Sequence, residues 1–164
     1  MTITLARVDD RVIHGQTMTR WAASRKLDAF VIASDKVAND ELRKKVLKSA
    51  ANPHKLGIYD NKTAVEKIKM ASESKKDFFV ISDSPQNFAE ILKMGGDFGK
   101  VLNIGPMNTR PGAKVLGKTT AIDQADYDAF EYMHNHGIEL QFQIIPEDSI
   151  RTWEQIKKLY DAAE

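Results

Sequence analysis

The residues of this chain best suited to chemistry lie in one short segment near its start, RVDDRVIHGQTMTRW, residues 7–21. Two arginines, two acids and a histidine crowd together there, just before a glycine. Hydrophobic packing does not require such a cluster, whereas a phosphoryl group does. An arginine fork matches phosphate oxygens, and a neutral imidazole nitrogen is a nucleophile near neutral pH.

The histidine, His14, stands directly before a predicted helix. The first N–H groups of a helix have no partner within it and favour negative charge. Gly15 allows the backbone to approach a phosphate closely, and Gln16 or Thr17 can add a donor. These residues are predicted to bind and orient a phosphoryl group on His14.

Arg11, three residues before His14, is predicted to bind the phosphoryl oxygens. Asp10 either orients the second ring nitrogen of His14 or holds Arg11. Spacing alone supports equally well a helix-capping histidine beside a surface ion pair. The other histidines are predicted to be less informative: His134 and His136 close a helix, and His54 lies in an exposed turn.

The rest of the chain alternates short apolar runs with helical patterns. Strands are predicted at residues 2–8, 29–34, 55–60, 77–82, 99–105 and 138–146, and helices at 15–26, 37–50, 62–74, 85–94, 123–137 and 149–163. Residues 107–122 are predicted to form a loop with one or two short strands. The apolar positions Val65, Ile68 and Met70 are predicted to face inward.

This alternation predicts an α/β fold: one domain over residues 1–164, built on a doubly wound, mostly parallel open sheet with helices on both faces. Ligands of such sheets bind at the carboxyl ends of the strands. Polar residues fall at these ends, including Asp10 after the first strand and Ser82 and Ser84 after the fourth.

Composition narrows the function. The formal net charge of +1 gives no support for nucleic-acid binding, and the absence of cysteine removes disulfides and thiolate metal sites. No run approaches the ~18 apolar residues of a membrane span, and no signal peptide is evident. The acids are scattered, so neither a metal site nor a cofactor is predicted. A cytosolic protein that is not itself embedded in a membrane is expected.

The segment DDRVIHGQ resembles the active loop of enzyme IIB of the mannose/fructose/sorbose family of the sugar phosphotransferase system. The similarity continues through VIASDKVANDELRKKVLKSAANP, NIGPMNTRPGAKVLGKTTAI and GIELQFQIIPED, and so covers nearly the whole chain. The resemblance implies the same open, largely parallel α/β sheet.

It also implies a transferase that carries phosphohistidine. A phosphorylated IIA partner would load the loop histidine, His14, and the phosphoryl group would pass to a hexose or amino-hexose imported by the membrane components IIC and IID. Arg11 matches the loop arginine associated with the transferred group. Val12, Met18 and Trp21 are expected to form a docking surface for partners, and for Met18 and Trp21 inward helix packing is an equal alternative.

Accessory contacts to phosphate or to a partner are expected from Arg7, Ser82, Ser84 and Arg110; the last lies in a loop, GPMNTRPGAK, that departs from the family pattern. Two alternatives stay open: a regulatory IIB-like docking protein, and a non-enzymatic phosphosugar- or nucleotide-binding module. The glycine-rich phosphate loop that the module would need is missing. The sequence leaves open which sugar is carried and whether the chain forms a homo-oligomer.

Overall fold

The computed structural model describes residues 3–164, without the side chains of residues 16 and 17. The strands are β1 (Ile3–Val8), β2 (Ala29–Ala33), β3 (Lys55–Tyr59), β4 (Phe78–Ser82), β5 (Val101–Ile104), β6 (Lys114–Val115), β7 (Ala121–Ile122), β8 (Glu139–Phe142) and β9 (Arg151–Thr152). The helices are α1 (Gly15–Ser24), α2 (Asp35–Ala38), α3 (Glu41–Ala51), α4 (Asn61–Glu73), α5 (Pro85–Lys93), α6 (Gln124–Asn135) and α7 (Trp153–Ala162).

A seven-stranded sheet forms the centre of the molecule, in the order β3-β2-β4-β1-β5-β8-β9. Its first six strands run parallel, and β9 lies antiparallel at one edge. A separate antiparallel pair, β6 and β7, lies within residues 107–122. These findings confirm the predicted fold class.

Helices cover both faces of the sheet, and each face has its own apolar core. On one face, side chains of α1, α2 and α3 pack on the sheet around Trp21, Val37 and Leu47. On the other, α4, α5, α6 and α7 pack around residues such as Ile68 and Trp153. Alternate residues of the central strands supply the two cores, as the twofold alternation of a strand requires.

The sheet order places the carboxyl end of β1 between the ends of β4 and β5. Three backbone hydrogen bonds join these ends: Asp9 N–H donates to the Ser82 carbonyl (2.9 Å), Gly105 N–H to the Val8 carbonyl (2.7 Å) and Asp10 N–H to the Pro106 carbonyl (3.3 Å). The strand order reverses at this position, because β2 and β3 lie on one side of β1 and β5 and β8 lie on the other. Ligands of doubly wound sheets bind at such a point. The segment that carries His14 leaves the sheet here.

One predicted inward position is wrong, and one predicted helix is divided in two. Met70 is 55% exposed because it lies on the far side of α4 from the buried Ile68. The helix predicted over residues 37–50 also differs from the structure: Leu42 is 73% exposed and Val46 is exposed. Two helices form there instead, separated by residues 39 and 40, and the break resets which side faces the core.

Two further expectations are corrected. His54 is not an exposed turn residue: it is half-buried, with its ring edge-on to Phe30 at 5.9 Å between centroids. Val12, Met18 and Trp21 are all buried, so they pack inward and form no docking surface. Among the helices of residues 3–164, none has the length and apolarity of a membrane span.

Candidate functional site

The loop between β1 and α1 turns sharply around the buried carboxylate of Asp9. One oxygen, Oδ1, accepts a hydrogen bond from Arg11 N–H (3.0 Å), and the Asp9 carbonyl accepts one from Val12 N–H (2.9 Å). Val12 is fully buried and has φ +64°, a left-handed conformation that is strained for a β-branched residue. The turn is therefore held by hydrogen bonds and burial against its own backbone preference.

His14 ends the loop as the N-cap residue of α1. Its side chain is 15% exposed, so the ring is partly covered and partly accessible. Its Nε2 lies 3.1 Å from Asp9 Oδ1 and 3.0 Å from Asp9 Oδ2. A carboxylate only accepts hydrogen bonds, so the neutral ring carries its proton on Nε2 and keeps a lone pair on Nδ1.

Asp9 thus occupies the position that the sequence offered to Asp10, and that assignment is corrected. The Asp10 carboxylate instead accepts a hydrogen bond from Asn108 N–H (2.7 Å), and the Asp10 carbonyl accepts one from Arg43 (3.2 Å). Burial raises the pKa of Asp10 from its ordinary value. Asp10 joins the loop to residues 106–110 rather than to the imidazole.

Arg11 is exposed beside His14. Of the residues that the structure describes, none forms a hydrogen bond or ion pair with its guanidinium. Within the described part of the chain, the side chain of Arg11 is therefore an exposed cation without a fixed partner. An exposed guanidinium of this kind is available to bind an anion.

The N-terminus of α1 faces the same place. Gly15 begins the helix with φ +40°, the first turn contains no acidic residue, and the His14 side chain does not cap the helix. The first turn of α1 therefore contains no acidic side chain of its own that would compete with an anion for the helix N–H groups. The predicted contributions of the Gln16 and Thr17 side chains lie outside the described residues.

Arg7 does not contact this entrance, which corrects its expected role as an accessory phosphate ligand. It is fully buried in β1, where its guanidinium donates to Asn103, to the Gln143 carbonyl (3.0 Å) and to the Ile144 carbonyl (2.9 Å). Burial lowers the pKa of Arg7 to about 10, so the side chain stays cationic at neutral pH.

Ser82 and Ser84 take different positions. Ser82 is buried, and its hydroxyl accepts a hydrogen bond from Asn87 (2.8 Å), so it cannot reach the entrance. Ser84 is half-buried at the N-cap of α5 and makes no capping bond. It lines a cleft of about 240 Å³ that also contains Asp10 and Arg110.

Arg110, predicted as an extra phosphate or partner contact, is engaged within the chain. Its guanidinium pairs with Asp126 and with Asp123 (3.3 Å), and donates to the Asn108 carbonyl (3.0 Å). Arg110 therefore ties the loop of residues 106–112 to the start of α6.

Comparison with known proteins agrees with this fold. Residues 3–163 match the family described as PTS system sorbose subfamily IIB component. The chain belongs to this family of IIB components. The sorbose-specific EIIB component of Lacticaseibacillus casei is 35% identical over 149 residues, which cover 90% of each protein.

Two other relatives define the IIB component further. The IIBSor domain of the sorbose permease from Klebsiella pneumoniae has a crystal structure with a TM-score of 0.89 and 32% identity, covering 96% of this chain and 98% of that one. The mannose-specific EIIAB component of Escherichia coli strain K12 is 30% identical over 90% of this chain, but over only 46% of its own length. The IIB component is thus a transferase protein of a sugar phosphotransferase system.

Sequence reasoning missed two residues that contact the loop or form part of it. Asp9 was passed over for Asp10, although Arg7 and Asp9 are two residues apart and therefore lie on one side of an extended chain. Arg43 was unmarked because it lies on α3, remote in sequence. It reaches both the Asp10 carbonyl and the Asp83 carboxylate, the latter at 3.5 Å.

No group of three or more His, Asp or Glu side chains in the described part of the chain could hold a metal ion. The chemistry of the site is therefore considered from its imidazole, carboxylates, guanidinium groups and helix terminus.

Proposed function

We propose that this IIB component carries a phosphoryl group on Nδ1 of His14. A phosphorylated IIA protein donates the group, and a hexose or amino-hexose imported by the IIC and IID components accepts it. Both phosphoryl transfers take place on the cytoplasmic side of the membrane. The observation that carries the proposal is the pair of contacts from Asp9 to Nε2 of His14, which leaves the Nδ1 lone pair for attack.

In the first transfer, the lone pair of Nδ1 forms a bond to phosphorus as the donor's P–N bond breaks, and that electron pair stays on the donor imidazole. The ring of His14 gains positive charge, which the adjacent Asp9 carboxylate stabilises. In the second transfer, a sugar hydroxyl oxygen attacks phosphorus and the P–N bond returns its pair to Nδ1. The hydroxyl proton can then pass to Nδ1.

Charge neutralisation supports the same assignment. Phosphoryl transfer depends mainly on positioning and on stabilising the charge of the equatorial oxygens. Arg11 is exposed three residues before His14, and the first N–H groups of α1 follow His14 directly. Acidic side chains are absent from the first turn of that helix, so it can receive a dianion.

Partner identity is supported by the relatives. The Escherichia coli mannose protein is named an EIIAB component, and this chain covers 46% of it. That name supports a IIA protein as the donor for His14. The names of other relatives specify sorbose or fructose, so hexose is the substrate class and the particular sugar stays open.

Labelling with acid-labile phosphate tests the proposal. The chain is incubated with the general phosphocarriers of the system and a cognate IIA protein, and the intact mass and proteolytic peptides are measured. We expect one phosphate on the peptide that contains His14, and none in a folded His14→Ala variant. Labelling of that variant would place the site elsewhere.

The same preparation separates the alternatives. A phosphosugar- or nucleotide-binding module would stay unlabelled. A regulatory docking protein would accept phosphate but fail to discharge it when membranes containing IIC and IID are added with sugar. Loss of label with formation of sugar phosphate is the result expected of a carrier.

A further inference from the structure

A buried cation, the guanidinium of Arg7, lies behind the loop between β1 and α1. The Arg7 guanidinium is shielded from solvent and faces two kinds of group: acceptors at the ends of β5 and β8, and the equally buried carboxylate of Asp9, whose Oδ2 lies 3.6 Å from Arg7 Nη2. The indole of Trp21 covers the guanidinium, with 4.9 Å from Arg7 Cζ to the ring centroid.

Such a cation needs an explanation because burying a charge is costly unless it is paired and hydrogen-bonded. Three carbonyl-type acceptors hold Arg7, and among the described residues only Asp9 supplies negative charge to it. The dependence is mutual, since Asp9 has no solvent contact either. Of the two Asp9 oxygens, Oδ2 is shared: it faces Arg7 on one side and His14 Nε2, 3.0 Å away, on the other.

We propose that Arg7 is a positioning residue for phosphoryl transfer, acting through Asp9 to hold the carboxylate against Nε2 of His14. This inference rests on the proposed function, because it assigns Arg7 to the reaction of His14. Arg7 itself does not touch the transferred group. The acceptors at the ends of β5 and β8 fix the Arg7 guanidinium, and the guanidinium in turn fixes the position of the Asp9 carboxylate.

The Arg7 guanidinium fits in its place because residue 105 is a glycine. A Cβ added at Gly105 would collide with Arg7 Nη2 and lie 2.7 Å from Arg7 Cζ. Any side chain at position 105 therefore displaces the guanidinium without removing its charge. Gly105→Ala is an independent way to move Arg7 relative to Asp9.

The first test measures the His14 ring itself. In unphosphorylated protein, ¹⁵N NMR distinguishes the Nε2–H from the Nδ1–H tautomer. We expect Arg7→Lys, which keeps charge but loses the fork, to lower the Nε2–H fraction. The matched control is Arg25→Lys. Arg25 also stacks on Trp21, at 5.4 Å, but donates to the Thr4 carbonyl rather than to Asp9. If the Nε2–H fraction of His14 in Arg7→Lys equals that of the wild type, the proposal is overturned.

The second test uses labelling rates in two backgrounds. We expect Arg7→Lys to slow phosphate acceptance by about tenfold or more when Asp9 is present. In an Asp9→Asn background, Arg7→Lys should slow phosphate acceptance by less than about twofold, because the Asp9 carboxylate through which Arg7 acts is already missing. Equal losses in the two backgrounds would show that Arg7 does not act through Asp9.

Folding is checked by circular dichroism and urea titration. If Arg7→Lys does not fold, Gly105→Ala takes its place in both tests. If neither folds, the guanidinium resonances of wild-type Arg7 are followed as His14 is phosphorylated. They should shift while those of Arg25 stay fixed, and unmoved Arg7 resonances would contradict the link. A wild type that cannot be labelled refutes the proposed function, whereas the tautomer result still decides the role of Arg7.

Discussion

Replacing Asp9 with asparagine is the most direct test of how the loop activates its histidine. Both carboxylate oxygens lie within 3.1 Å of His14 Nε2, so an amide in the same place presents one NH₂ donor towards the ring. A donor there favours the tautomer with its proton on Nδ1, which blocks the proposed nucleophile. It also removes the negative charge that stabilises the phosphorylated ring.

The expected size follows from the contact that is lost. A hydrogen bond to a charged group contributes about 1.5–3 kcal/mol. Since each tenfold change in rate corresponds to about 1.4 kcal/mol of barrier, phosphate acceptance should slow by between about 10-fold and about 150-fold. The buried Arg7 also loses its ion pair with Asp9, so some loss of stability should accompany the slower rate.

Initial rates of labelling by phosphorylated IIA, measured by rapid quench, give the comparison. The control is Asp128→Asn, which makes the same chemical change at an exposed position of α6. Circular dichroism establishes that both variants are folded. An Asp9→Asn rate within about threefold of the wild-type rate would mean that Asp9 does not govern the reactive nitrogen, since this is below the lower limit of the range.

Three other substitutions test the surroundings of the loop. Arg11→Lys keeps the charge but loses the fork, so sugar phosphorylation should fall by at least about tenfold, or about 1.4 kcal/mol; unchanged turnover would remove Arg11 from the mechanism. Because burial raises the pKa of Asp10 above 3.8, the folded state holds that proton more tightly than the unfolded chain, and stability is lost as pH rises through the folded pKa. Asp10→Asn should therefore raise the urea midpoint at neutral pH, with a gain that shrinks towards about pH 4; an equal gain at both pH values contradicts the argument. Arg110→Ala leaves the buried Asp126 with fewer partners and should cost about 1–2 kcal/mol in urea unfolding, and a loss too small to measure would show that the ion pair adds nothing.

The sequence predicted most of the fold because strand and helix patterns alternate strongly, and the parallel sheet follows from that alternation. The residue at which β8 ends was not predicted correctly. A strand was expected through residue 146, but it stops at Phe142. The next carbonyls are used instead by Arg7 and by the Trp21 indole, which donates to the Ile144 carbonyl at 2.9 Å. Contacts so distant in sequence leave no local pattern.

At the site, the sequence indicated the histidine, the arginine and the glycine, but not the acid that faces the ring. Asp9 and Asp10 are adjacent and chemically alike. Which one reaches His14 depends on the turn at Val12, whose left-handed conformation a β-branched residue does not suggest. The choice is made by tertiary packing, since Val12 gains burial in return for an unfavourable torsion.

The geometry of Gly15 has a consequence for protein engineering. With φ at +40° and no atom within 4 Å of an added Cβ, position 15 has ample space but an unfavourable backbone for any L-residue. L-alanine should therefore cost about 1 kcal/mol, through torsion alone. Its mirror image, D-alanine introduced by chemical ligation, should be accommodated with little penalty. Stereochemistry, rather than size, limits what this position accepts.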